Sequence, residues 1–244
     1  MDNSLLVSLS HQLASYRSMD VIANNIANVS TPAYKREAVK FEEYVANVQG
    51  SESDSGPVPV SFVQDKGVVR DLNEGRIEAT HAPFDFAVNG KGYFVVNTAN
   101  GERYTRNGHF QLDGSGRVVT SEGDAVMGEG GEITVTADDG DIHVAEDGTI
   151  SGKQGQLGKL RLVNFDNERA LQKEGASLYT TTQSPTPADG KIRQGMLETS
   201  NVEPVIEISH MIEVMRAYQA TANLTQSQED MMRQAIDKLG SVQG

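Results

Sequence analysis

The 244-residue chain contains no cysteine. That excludes disulfides, thiolate nucleophiles and Cys-ligated metal, and it leaves the redox compartment open. Cations are scarce: 21 Lys and Arg stand against 34 Asp and Glu, for a formal net charge of -13. Nucleic-acid and anionic-membrane binders present a basic face, so neither class fits. No apolar run of the sequence approaches the ~20 residues of a membrane-spanning helix. The opening MDNSLLVSLSHQ has no basic region and too short an apolar run for a secretory signal. The sequence therefore predicts a chain that does not use the general secretory route.

Glycine and proline are missing from both ends. None of the 24 glycines falls before Gly50 or between Gly195 and Gly240, and no proline follows Pro204. These residues punctuate turns and weaken helices, so the ends are free to be helical and the middle is turn-rich. In the N-terminal segment Leu5, Leu9, Tyr16, Met19, Ala23 and Ile26 recur at spacings of three and four, with Gln12 filling the gap. That is a heptad seam. Up to Tyr34 the only charged side chains are Asp2, Arg17 and Asp20. A helix with a solvated back carries more charge, so this one reads as surrounded by protein. Near the other end Ile208, Met211, Met215, Tyr218, Ala222, Thr225, Met232, Ile236 and Leu239 fit one a/d series that Glu229 interrupts. As a single helix it would be about 50 Å long, which suggests a coiled coil. A pair of ordinary amphipathic core helices is the alternative that periodicity alone leaves open.

The middle reads as strands. FDFAV alternates Phe84, Phe86 and Val88, and Asn100-Gly101 lies between two β-rich runs, a hairpin signal. HFQLDGSGRVVTS repeats the scheme around Asp113–Gly116, and EITV, DIHV and GKLRLVNF follow as shorter candidates. The expectation is an α+β chain: residues 1–34 an N-terminal helix, 35–74 an extended connector with a mobile loop at 49–60, 75–195 an all-β domain of sandwich or barrel type, and 196–244 a C-terminal helix paired with the first.

No chemistry-bearing pattern emerges. His11, His81, His109, His143 and His210 are scattered without metal spacing. ADDGDIHVAEDG is Asp-rich but lacks the alternating ligands and terminal Glu of a calcium loop, and Asp at β-turns explains it. NGKGYF runs into a strand, so it offers no helix N-terminus to a phosphate. A nucleophile elbow and a Walker motif are both missing. The sequence predicts no catalytic residue, no cofactor and no metal.

One stretch resists a solvent-facing reading: MDVIANNIANVSTPAYKR, Met19–Arg36, with three asparagines at a helix end before a Ser-Thr-Pro brake. Asn competes for backbone hydrogen bonds and is a poor helix former. This stretch, the distal QGMLETSNVEPVIEISHMIEVMRAYQA with its LE-SNV and MI…RAY elements, and the central HAPFDFAV…VVTSEGDAVMG together resemble the flagellar rod, hook and hook-associated axial family over nearly the whole chain. Within it the MDN start, the short length and PVSFVQDKGVVRDLNEGRIEATHAPFDFAV look most like a proximal-rod subunit, with a distal-rod subunit as the alternative. A cell-wall-active β-domain protein is the less favoured reading. The resemblance implies a structural subunit stacked helically around an export channel, in a periplasmic basal body reached through flagellar type III export. Its partners would be copies of itself, other rod proteins and the export apparatus. The resemblance also gives the asparagines a role, since buried amides penalise wrong registers. Without it, Asn28 reads as a helix C-cap and the other two as solvent-facing. The expected assembly interface is Leu5, Leu9, Leu13, Tyr16, Met19, Ala23, Asn24, Asn25, Ile26 and Asn28 near one end. Near the other it is Asn201, Ile208, Met211, Met215, Tyr218, Ala222, Met232, Ile236 and Leu239. Pro32-Ala33 departs from the resembled pattern, which has a glycine before the aromatic, so the exit from the helix is expected to differ.

Overall fold

The computed structural model describes residues 2–48, 58–175 and 177–241. Two long helices flank a β-rich middle, an α+β arrangement, and the chain divides into two compact units.

The helical unit contains α1 (Asp2–Ala27), β1 (Glu37–Val48), β2 (Val58–Arg70) and α2 (Pro204–Ser241). With 38 residues and no internal proline, α2 extends for roughly 57 Å at the standard rise. Four of its hydroxyls are satisfied inside the helix: Ser209, Thr221, Thr225 and Ser227 each donate to the carbonyl four residues earlier. Helix α1 packs against α2 and along both strands.

The segment read as an extended connector contains a long antiparallel hairpin. Its register runs from Glu37 opposite Arg70 to Val48 opposite Val58, with an irregularity between Val39 and Phe41. Strict alternation is broken in β1 by the consecutive Glu42-Glu43, which hides the strand from a period-2 reading. The loop expected to be mobile falls mainly on 49–57, outside the described residues.

The seams also lie elsewhere than the heptads suggest. On α1 the buried side chains are Ser8, Val21, Ile22 and Asn25, while Leu6, Leu9, Leu13 and Tyr16 are at least half exposed. The covered line of α1 therefore mixes a serine and an asparagine with two β-branched apolar residues. On α2 the partly covered line is Met211, Val214, Tyr218, Thr221, Thr225 and Met232, beginning from the fully buried Glu207.

The β-rich unit comprises residues 28–36 and 71–202. It is built on β3 (Ile77–Ala79), β4 (Phe86–Asn89), β5 (Tyr93–Thr98), β6 (Gly101–Thr105) and a series of short strands beyond them. The Asn100-Gly101 signal holds: β5 and β6 pair with Thr98 opposite Gly101, whose φ is +97°. Likewise Gln111–Leu112 pairs with Val118–Val119 around a turn in which Gly116 N–H donates to Asp113 O. Strand β5 is buried on both faces, which explains its unbroken apolar run. Phe94 and Val96 face one core with Phe86, Phe110 and Ile150. Tyr93 and Val95 face a second with Tyr104, Phe165 and Tyr179. The unit is closed by C-terminal strands: Lys191–Gln194 pairs with β4, and Met196–Glu198 with β3.

Candidate functional site

The three motif asparagines have three different fates. Asn24 is exposed, and its Nδ2 donates to Asp20 O within α1. Asn25 is completely buried. Its Nδ2 donates to Glu37 O at 2.7 Å and to Glu207 Oε2 at 3.0 Å, while its Oδ1 accepts the Glu37 N–H at 2.9 Å. One amide thus joins α1, the start of β1 and the first turn of α2. Asn28 lies just past α1 and builds the turn that ends it: Thr31 donates its N–H to Asn28 O and its hydroxyl to Asn28 Oδ1.

The rest of the motif belongs to the β-rich unit and meets LE-SNV there. Ala33 N–H donates to Glu198 O at 2.8 Å, and Asn201 N–H to Tyr34 O. The Arg36 N–H donates to Asn201 Oδ1 at 2.6 Å, and Asn201 Nδ2 donates to the carbonyls of Asp71 and Asn73. Tyr34 is 1% exposed, with the Lys173 ammonium 4.3 Å from its ring centre. Ala33 holds φ +56°, the left-handed region that glycine occupies more freely. The departure from the resembled pattern therefore falls at a position whose geometry suits glycine.

Below this knot lies a buried ion cluster. Lys35 Nζ donates to Glu198 Oε1 at 2.6 Å and to Asn73 O. Arg106 Nε donates to Glu198 Oε2 at 2.9 Å, and its other nitrogens donate to the carbonyls of Val88, Gly90 and Gly92. The Gly75 N–H completes the set at 3.0 Å from Oε1. Burial pushes the Glu198 carboxyl up, but the charges of Arg106 and Lys35, with the Lys35 and Gly75 hydrogen bonds, outweigh it and hold the group below the usual carboxylate range. Burial also draws Lys35 down against the pull of Glu198. Nearby, burial and the neighbouring Glu168 raise the Tyr93 phenol far above its ordinary value. Every carboxylate oxygen of Glu198 is engaged by protein donors, so the cluster holds segments together rather than receiving a substrate.

Of the expected interface residues, Leu9, Leu13, Tyr16, Ala23, Asn24, Ile208, Met215 and Ile236 are exposed. Leu5, Met19, Ile26, Asn28, Asn201, Met211, Tyr218, Ala222 and Met232 are partly covered, and Asn25 is buried. The side chain of Leu239 lies outside the described residues. Two uncovered apolar stripes result, both spaced three-four-three: Leu6, Leu9, Leu13, Tyr16 on α1, and Val205, Ile208, Ile212, Met215 on α2. Sequence reasoning missed Glu207, Lys35, Arg106 and Glu198. Glu198 sits inside a quoted motif, but no local pattern announces a partner 163 residues away.

Elsewhere several polar groups bond within the fold. Among the described residues no three His, Asp or Glu side chains are arranged to hold a metal. In the Asp-rich stretch Asp139 accepts the N–H and hydroxyl of Thr136, and Asp147 accepts those of Thr149. A surface cleft lined by His81, His143, Glu146 and Arg193 has Gln194 in its wall, fully engaged with Pro83 O, Ile142 O and Val144 N–H.

An architecture whose polar centres lock segments, and whose helices leave apolar stripes uncovered, defines a structural, assembly-type chain. Residues 8–35 match the family model described as flagella basal body rod protein, 87–152 the flagellar hook protein FlgE/F/G D1 domain, and 193–238 the flagellar basal body rod FlgEFG protein C-terminal. The chain is 39% identical to the flagellar basal-body rod protein FlgF of Caulobacter vibrioides over 99% of this chain and 100% of that one. It is 34% identical to FlgF of Mesorhizobium japonicum, covering 99% of both. It is also 35% identical to the rod protein FlgG of Buchnera aphidicola subsp. Acyrthosiphon pisum, over 97% of this chain and 99% of the relative. The chain belongs to the flagellar basal-body rod protein family, whose members are structural components of the rod.

Proposed function

We propose that this chain is a proximal-rod subunit that stacks helically around the export channel and transmits torque for motility. The observation that carries the reading is the pair of uncovered apolar stripes on α1 and α2. A stripe of Leu6, Leu9, Leu13 and Tyr16 in water forfeits the burial that would favour each side chain by ~1.5–3 kcal/mol. Packed against helices of neighbouring subunits, it regains that term and forms the coiled-coil inner layer of the rod. Copies of the chain and other rod proteins supply the neighbours. Delivery through the flagellar type III apparatus to the periplasmic basal body completes the reading, and no catalysis, metal or cofactor is part of it. Full-length similarity to FlgF proteins favours the proximal rod, while FlgG proteins keep the distal rod as the second reading.

The test is complementation. The gene should restore swimming to a strain lacking FlgF and fail in a strain lacking FlgG; the reverse result assigns the distal rod. In the restored strain Leu13→Asp should abolish motility while the purified variant melts like the parent, because Leu13 is solvent-facing in the single chain. Unimpaired swimming of Leu13→Asp would refute the stripe as an assembly surface.

A further inference from the structure

The buried ion cluster does more than neutralise itself, because its three charges come from segments far apart in the sequence. Glu198 lies 163 residues from Lys35 and 92 from Arg106. The same carboxylate also takes the N–H of Gly75, and its own backbone carbonyl takes that of Ala33. Two buried cations depend on it: Lys35 and Arg106 are both about 5% exposed. Arg106 reaches one more acid, Glu74 at 3.5 Å, which is half solvated. The other titratable groups facing the cluster are Tyr93, over whose ring Arg106 lies at 5.9 Å, and Glu168, which accepts the Tyr93 hydroxyl. Neither can replace a buried carboxylate charge.

We infer that Glu198 is an acid-opened lock on the β-rich unit. While its carboxylate is charged, residues 31–36, 71–76 and 196–202 hold together. When it takes a proton they part, and the sheet core around β5 persists. The reason for partial opening is the distribution of contacts. The apolar clusters centred on Phe86, Phe94, Tyr93 and Phe165 contain no residue of those three segments, so protonation removes nothing from them. Repulsion between two cations stripped of their shared counter-ion acts only at the knot. The sign is fixed by Glu198 being held below the ordinary carboxylate range: the stability it adds is present above the unfolded carboxylate pKa and is lost as pH falls through the folded one. The other lowered carboxyls, such as Asp113 and Glu146, lie in exposed pairs and add little. A second consequence concerns order of closure. The segment leaving α1 cannot settle until residue 198 is present, so a chain without its C-terminal part leaves Lys35 and Arg106 uncompensated. The inference concerns the folding of the single chain and stands whichever rod position the protein takes.

Hydrogen exchange of the purified full-length chain across acid pH, corrected for the intrinsic pH dependence, tests it. Peptides covering 31–36 and 196–202 should lose protection together at a pH where peptides from 93–105 keep theirs. Glu198→Gln imitates the protonated state. At pH 7 it should exchange about a hundredfold faster or more in 31–36 than the parent, with 93–105 unchanged. Lys35→Met removes one cation, leaves Asn73 O bonded to Asn201, and should move the opening midpoint to higher pH, since Glu198 is then held less strongly. Parental protection in Glu198→Gln at pH 7 would overturn the lock. Should that variant fail to fold, the Lys35→Met midpoint decides: an unshifted or lowered midpoint overturns it too.

Discussion

Asn24 and Asn25 are adjacent and chemically identical, yet replacing them should have opposite consequences. Asn25 makes three hydrogen bonds in a site without solvent access. Two are neutral bonds to the Glu37 backbone, worth about 1 kcal/mol each, and one goes to the Glu207 carboxylate, worth about 2. Asn25→Leu keeps helix compatibility but deletes these bonds, so the helical unit should lose about 4 kcal/mol. That is a large share of the ~5–15 kcal/mol that holds a domain. Asn24 is exposed, and the bond its amide donates to Asp20 O stays within its own helix. Asn24→Ala gains helix propensity and should lie within about 0.5 kcal/mol of the parent. Urea unfolding followed at 222 nm reads α1 and α2, which hold 26 and 38 residues. Near-ultraviolet circular dichroism reads the Tyr93, Tyr104, Phe165 and Tyr179 cluster of the β-rich unit. Asn25→Leu should lower the first midpoint and spare the second. Equal shifts for the two asparagine variants, or a parent chain with no helical signal to lose, would refute the reasoning. The same substitution should also abolish swimming, but as a consequence of the lost node and not of a lost contact with a neighbour.

Asn25→Asp places a second carboxylate about 3 Å from the Glu207 carboxylate, and two like charges at that distance in a buried site repel. Its helical unit should therefore be weakest at neutral pH and regain stability as pH falls through the carboxylate range, which a urea midpoint measured from pH 7 to 4 will show. Gly75→Ala would put a Cβ 1.9 Å from Thr199 O, a backbone clash that should cost about 1–3 kcal/mol. Gly114→Ala, with nothing within 4 Å, should leave the melting of the β-rich unit within a degree or two of the parent. Equal melting of the two glycine variants would contradict the packing of residues 75 and 199.

What was legible in the sequence was whatever is written locally. The helices follow from the missing glycine and proline at both ends, and the β5–β6 hairpin from Asn100-Gly101. The β1–β2 hairpin was harder to read, because the consecutive Glu42-Glu43 interrupts the alternation of β1. The covered face of α1 escaped for a different reason. Periodicity marks Leu9 and Tyr16 as part of a seam without saying what covers it, and the single chain buries Ser8, Val21, Ile22 and Asn25 instead. Periodicity reports that a helix has two faces; it does not say which partner each face serves. The ion cluster is non-local in all three members, and no spacing rule reaches across 163 residues.

That inversion has a physical logic in a chain of this family. If the leucine stripes closed on each other within one subunit, they would add stability but leave nothing for a neighbour. The covered line of α1 sets Ser8 and Asn25 among Val21 and Ile22, so the helical unit relies on specific bonds as well as on apolar burial, and the Asn25 node is completely buried. The Asn25 node also rejects register slips, because any slide pulls the buried amide away from Glu37 and Glu207. The β-rich unit meets the same demand with a different chemistry. Its sheet core is apolar and self-sufficient, while the Lys35–Glu198–Arg106 cluster holds the segments that lead from α1 and toward α2. Ala33, at φ +56° with its methyl buried, shows how firmly. A left-handed alanine costs about 1–2 kcal/mol, and the bonds of Tyr34, Lys35 and Arg36 to Glu198 and Asn201 keep it there. Polar bonds therefore fix the geometry of the single chain, and the apolar stripes on α1 and α2 are left uncovered.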